Sequence, residues 1–203
     1  MFLGIVFASA IAMPDPARSE TSNPAIMVYS ALPVSRPKYS VPEKTKRLLF
    51  YVQRSMNANT VVYEANLRSN GDYDREKPVL VRWRRFASNG VAKKLSLLEN
   101  WAYGITVNAG DGSKKSLRVH ITSYPYRSVK IGIDKSGVPI ATLRAGKHRI
   151  KLIYVFVQLK KSLLIPLIEY VDIFGQDLAT GAYIRERIGN NSRKHSPVNV
   201  NTR

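Results

Sequence analysis

Five carboxylates fall inside stretches that read as β-strands: Glu64, Asp134, Glu169, Asp172 and Glu186. Two such groups facing one another could work as general acid and general base. Arginines stand close to one of them. Arg54 lies in the stretch before Glu64, and Arg82 and Arg84 lie in the stretch after it. Side chains alternate along a strand, so Glu64 shares a face with Val62 and Asn66, opposite Val61, Tyr63 and Ala65. Three roles follow for Glu64: a structural ion pair with Arg54 or Arg82, a ligand contact, or acid–base catalysis. The ion pair is the simplest, because an arginine on a neighbouring strand satisfies a partly buried carboxylate. A ligand site in this region would be built from Arg54, Tyr63, Glu64, Asn66, Arg82 and Arg84. No residue is assigned to catalysis.

Other chemistries find little support. The chain has no cysteine, which excludes disulfides and thiolate chemistry. Its three histidines, His120, His148 and His195, are far apart in sequence, and no metal site or cofactor is expected. There is no G-x-S-x-G elbow, Walker A loop or H-E-x-x-H helix. The run GDGSKK (110–115) contains glycines and lysines but lacks P-loop spacing, and it reads as a hairpin loop with at most weak affinity for anions.

Charge is the strongest compositional signal. The 203 residues include 32 basic and 14 acidic side chains, a net charge of +18. Residues 1–46 contribute +2 (five basic, three acidic) and 189–203 contribute +3 (three basic), which leaves +13 on 47–188. The excess therefore sits on the folded part. It creates a positive potential that attracts anionic polymers, lipids or small molecules, or it is a solvated surface with no dedicated partner. RWRR (82–85) with Phe86, and SYPYRSVK (123–130), mix basic and aromatic residues as single-strand nucleic-acid grooves do. The export reading below disfavours that partner.

The elements that must position these residues are mostly strands. RLLFYVQRS and TVVYEANL flank a short Asn-containing link and read as a hairpin. A loop with an Asn70-Gly71 turn leads to VLVRWRRF. KKLSLLENWAYG is the one convincing helix: Leu95, Leu98, Trp101 and Ala102 share a face, and Gly104 ends it. It is too short to be stable alone, so it is expected to pack on the sheet with Trp101 as anchor. In SVKIGID, Val129, Ile131 and Ile133 alternate with Lys130, Gly132 and Asp134, one face inward and one outward. LIYVFV is apolar on both faces, which predicts a central strand with the core on one side and the helix on the other. The total is about nine strands joined by short loops. The expected fold class is all-β and mostly antiparallel, barrel-like, calycin-like or a sandwich, with one short α-helix on the sheet. A barrel is preferred over a sandwich because closure removes exposed edges.

Residues 1–17 open with MFLGIVFASAIAM, an apolar run with small residues suited to signal cleavage between Ala10 and Arg18. Met1 is followed directly by Phe2, without the usual basic residues. A buried N-terminal helix is the alternative. The run is too short to span a bilayer. Residues 18–46 are rich in Pro and Ser and read as a linker, 47–188 as a single β domain, and 189–203 as a disordered polar tail. The expected location is periplasmic or secreted.

The blocks QRSMNANTVVYEANL, PVLVRWRRF, LSLLENWAYGI, VFVQL and EYVDIFGQDLATG resemble, in the same order, those of a family of bacterial exported proteins, domain of unknown function 4833. The resemblance covers most of 47–188. It implies one compact exported domain with no established activity, and it supplies no catalytic residues.

Overall fold

The computed structural model describes residues 24–31, 41–55, 57–85, 91–113, 115–160 and 167–189. The signal-like segment 1–17, most of the segment read as linker, and the tail from residue 190 lie outside the described residues.

Among the described residues twelve strands and one helix follow one another: β1 (Ala25–Tyr29), β2 (Leu48–Arg54), β3 (Asn57–Ala65), β4 (Val79–Arg85), β5 (Val91–Lys94), α1 (Leu97–Tyr103), β6 (Ile105–Ser113), β7 (Ser116–Ile121), β8 (Tyr124–Ile133), β9 (Pro139–Ala145), β10 (His148–Lys160), β11 (Leu167–Asp177) and β12 (Tyr183–Gly189). All twelve strands belong to one sheet. Its main path runs β5-β4-β3-β2-β10-β9-β8-β7-β6, and β11, β12 and β1 branch from β10. Two antiparallel meanders, β2 to β5 and β6 to β12, account for most pairings, as short loops dictate. They are joined by one parallel pairing, in which Tyr154 to Val157 of β10 lie beside Tyr51 to Arg54 of β2. β10 is long enough to give its first half to β9 and its second half to β2, with β11 along its other edge.

The sheet curls into a half-barrel and stays open. Among the described residues β5 and β6, the ends of the main path, are not paired with each other. The exposed Lys93 and Lys94 of β5 discourage edge-to-edge pairing with another chain. β1 lies inside the segment read as linker and pairs with β12.

The inner face carries the core. Phe50 and Val52 (β2), Val61 and Tyr63 (β3), Trp83 (β4), Leu117 and Val119 (β7), Val129 and Ile131 (β8) and Ile184 and Ile188 (β12) meet there. Phe50 stacks on Tyr63 with centroids 4.3 Å apart. Tyr73, in the loop after β3, donates its hydroxyl to the Gly132 carbonyl of β8 at 3.1 Å and ties the two meanders together. The alternation of β8 is as expected: Val129 and Ile131 are buried and Lys130 is exposed.

Two expectations about the helix are corrected. The outer face of β10 is not covered by α1. It carries an aromatic layer in which Tyr154 stacks on Tyr51 (5.3 Å) and on Phe174 (4.3 Å), with Phe156 alongside. Trp101 is not the anchor of α1, because it is 51% exposed and no residue of α1 is buried. The helix touches the sheet through its last residue, Tyr103, and through Leu95 just before it. Its ends are well formed. Ser96 and Glu99 make a capping box, and the Gly104 N–H donates to the Asn100 carbonyl at 2.7 Å.

The β11–β12 turn shows how charge supports the fold. Asp177 accepts the Ala179 N–H at 2.7 Å and bonds His148 Nδ1 at 2.5 Å. The Ala179 N–H, and after it the His148 hydrogen bond, hold the Asp177 carboxyl below its ordinary value. A depressed carboxyl stabilises the fold above the unfolded value of about 3.9, and that contribution is lost as pH falls through the folded value. Asp177→Asn keeps an oxygen for Ala179 but removes the charge. Thermal unfolding followed against pH should show a lower Tm for this variant at neutral pH and a shallower loss of stability on acidification. An acid limb parallel to that of wild type would contradict this.

Candidate functional site

Five of the six residues singled out in the sequence fall into two groups on opposite faces of the β2–β3–β4 meander, and the sixth, Asn66, lies just after β3. Glu64, Arg82 and Arg84 lie on the outer face, where the register sets Val62 opposite Arg82 and Thr60 opposite Arg84. Arg82 is also opposite Lys94 of β5, so this face presents a cationic strip. Glu64 is held by Arg82, with Nε 3.9 Å from the carboxylate, and accepts the Thr45 hydroxyl at 3.5 Å. Of the two arginines considered for Glu64, Arg82 is the partner. The pair is solvated, with side chains 47% and 22% exposed. Exposed pairs contribute about 0–1 kcal/mol. Glu64→Gln should therefore lower unfolding stability by less than about 1 kcal/mol in a urea titration, and a loss several times larger would show that the pair acts as a buried one. Asn66 serves the loop after β3, where its Nδ2 donates to the Lys77 carbonyl at 2.8 Å.

Arg54 and Tyr63 belong to the inner face. Arg54 follows the parity of Phe50 and Val52, which puts it on the inner face at the end of β2, where the β2–β3 register becomes irregular. Arg54 packs against Trp83, with Cζ 5.0 Å from the ring centroid, and lies 5.8 Å from the Tyr103 ring. Nη1 donates to the Tyr103 hydroxyl at 2.9 Å. Trp83 and Tyr103 meet edge to face at 5.4 Å. Tyr63 supports the group from beneath by donating its hydroxyl to the Tyr103 carbonyl at 2.9 Å. Burial, reinforced by Tyr103, pushes the Tyr63 phenol well above its usual value, so it remains a donor.

Arg54 differs from the carboxylate-bound Arg127 and Arg187 in its partners and resembles Arg185, which meets the Tyr29 ring and Met27 Sδ. Arg127 is paired with Glu186, and Arg187 holds Asp172 through two bonds of 2.7 Å while stacking 3.9 Å from Tyr170. Those Asp172 bonds raise the Arg187 pKa above its usual value. Among the described residues Arg54 has no carboxylate, and its aromatic neighbours supply only π faces and one hydroxyl. Its Nε and the Nε1 of Trp83 are buried donors with no hydrogen-bond partner among the described residues. Two unmet donors beside an uncompensated cation are what an acceptor-rich, negatively charged group would satisfy. Arg54 and Tyr63 were legible as candidates. Trp83 was visible only as part of a basic–aromatic run, and Tyr103 gave no signal in the sequence.

Fold and site together define a half-barrel β domain with a cationic, aromatic-lined inner corner. The chain belongs to the family described as Domain of unknown function (DUF4833), which matches residues 50–187, more than half of its length. The match begins within β2 and ends within β12, so it contains the Arg54 corner and leaves out β1. No curated protein and no solved structure matches the chain.

Proposed function

We propose that this protein is a non-enzymatic, exported binding domain whose Arg54–Trp83–Tyr103 corner takes the carboxylate or phosphate group of a small molecule or of an anionic envelope component. The single observation behind this reading is the pair of unpartnered buried donors, Arg54 Nε and Trp83 Nε1, beside a guanidinium with no carboxylate among the described residues. The cationic strip of Arg82, Arg84 and Lys94 adds a field that draws anions to the same meander. Export and a periplasmic or secreted location rest on the apolar run in residues 1–17.

Isothermal titration with inorganic phosphate and with acetate, at fixed ionic strength, tests the site. A hydrogen bond to a charged group contributes about 1.5–3 kcal/mol, so Arg54→Gln should weaken the bound anion roughly tenfold to a hundredfold. Trp83→Phe keeps most of the packing, removes one unmet donor and should also weaken binding. Unfolding midpoints of both variants show whether the corner is still folded. Equal affinity in folded wild type and folded variants would dismiss the site.

The second reading, attraction of polyanions by surface charge alone, rests on the +13 carried by residues 47–188. Exposed charges are screened over roughly 10 Å at 0.1 M salt. Retention on a heparin surface that disappears with salt in wild type and in Arg54→Gln alike would support that reading.

A further inference from the structure

A short helix beside a sheet normally turns its apolar side inward, and α1 does the reverse. Leu97 is 89% exposed, and Leu98 and Trp101 are about half exposed. At positions i, i+1 and i+4 they occupy one side of the helix. The capping box at Ser96 and the stop at Gly104 satisfy its ends, so the outward face belongs to a formed helix. Val91, just upstream in β5, is also exposed. Among the described residues, three of the ten exposed large apolar side chains thus fall on one side of the seven-residue α1, which makes a patch rather than scatter.

Charge narrows the choice of occupant. Lys93 and Lys94, four and three residues before Leu97, are both exposed on the edge strand β5, one to each of its faces. The one acid between residues 91 and 104 is Glu99, whose carboxylate accepts the Ser96 N–H at 2.8 Å. Three apolar side chains on a seven-residue helix make a small patch. They suit a bilayer surface, where tryptophan and leucine enter the headgroup boundary and lysines meet anionic headgroups. No helix among the described residues is long and apolar enough to cross a membrane, so the contact would lie in the plane of the surface.

We propose that α1 is a membrane-docking element: Leu97, Leu98 and Trp101 insert into the interface of an anionic bilayer while Lys93 and Lys94 bind its headgroups. This contact uses residues separate from the Arg54 corner and stands without it.

The chain has two tryptophans, and Trp83 is only 4% exposed. A change of emission on adding vesicles therefore reports Trp101, and the apolar run at residues 1–13 contributes no tryptophan of its own. Full-length protein is mixed with vesicles of phosphatidylcholine alone, or of phosphatidylcholine and phosphatidylglycerol at three to one. Emission should move to the blue and be quenched by brominated acyl chains with the anionic vesicles only. Trp101→Phe should abolish the shift, whereas Arg54→Gln should leave it intact. A basic residue near an anionic surface contributes ~1 kcal/mol. Replacing Lys93 and Lys94 by glutamine should therefore lower the vesicle partition about 30-fold. Sedimentation with vesicles while Trp101 emission stays unchanged would assign the binding to another part of the chain and overturn the proposal. So would the absence of binding, or a blue shift that grows with protein concentration without lipid, which would place a second copy on this face.

Discussion

Replacing Arg127 by methionine should destabilise the domain by about 3–5 kcal/mol, the largest effect expected of any single charge removal here. Glu186 points inward from β12 between Ile184 and Ile188, and it is only 2% exposed. Its partner Arg127 reaches it from β8, and the same guanidinium donates to the Arg144 carbonyl. The pair joins the β6–β9 part of the sheet to the β11–β12 branch. Methionine fills similar space but leaves a carboxylate stranded in an apolar setting, where a lone charge is costly. The double variant Arg127→Met/Glu186→Leu should recover most of the loss, because an apolar pair needs no compensation. Urea unfolding of the two single variants and the double variant measures this. A single-variant loss below about 1 kcal/mol would mean that the pair behaves like a solvated one.

Gly175→Ala should also cost about 1–3 kcal/mol or more, for a reason unrelated to charge. Gly175 of β11 lies opposite Leu152 of β10, next to a register irregularity. A Cβ at this position would stand 2.5 Å from the Lys151 carbonyl oxygen and 2.6 Å from Ile150 Cδ1. The carbonyl belongs to a backbone held by β9 on one side and β11 on the other, so it has little room to retreat. Gly132→Ala is the control: its nearest contact is 3.6 Å, an ordinary packing distance, and its stability should stay close to that of wild type. Comparable losses in the two variants would point to glycine flexibility and not to the clash.

Much of the sheet was legible because it is local. The β2–β3 hairpin, the Asn70-Gly71 turn and the alternation of β8 all depend on residues near in sequence. The parallel seam between β2 and β10 is not local. It joins residues about a hundred positions apart, and no periodicity encodes it. The outer aromatic layer depends on that seam, since Tyr51 comes from β2 and Tyr154 and Phe174 from β10 and β11. Sequence could show that LIYVFV is covered on both faces, but not that aromatic residues of neighbouring strands supply the cover. Trp101 misled because the apolar spacing began at Leu95, which precedes the helix and packs inward, while the helix itself turns Trp101 outward. β1 was hidden by its length, five residues between prolines. The candidate site was half legible for the same reason. Arg54 and Tyr63 sit on adjacent strands, whereas Tyr103 arrives through the β5–α1 excursion.

Indole nitrogen NMR tests the central claim most directly. The two tryptophans give two indole N–H signals, and Trp101→Phe assigns the Trp83 signal by elimination. Inorganic phosphate is then titrated at constant ionic strength, with sodium chloride as the compensating salt. If the Arg54 corner takes an anion, the Trp83 indole and the Arg54 Nε–H signals should move saturably to higher proton frequency while the Trp101 signal stays in place. In Arg54→Gln the Trp83 signal should not respond. A Trp83 signal that stays fixed up to saturating phosphate, or that moves equally in Arg54→Gln, would contradict the account.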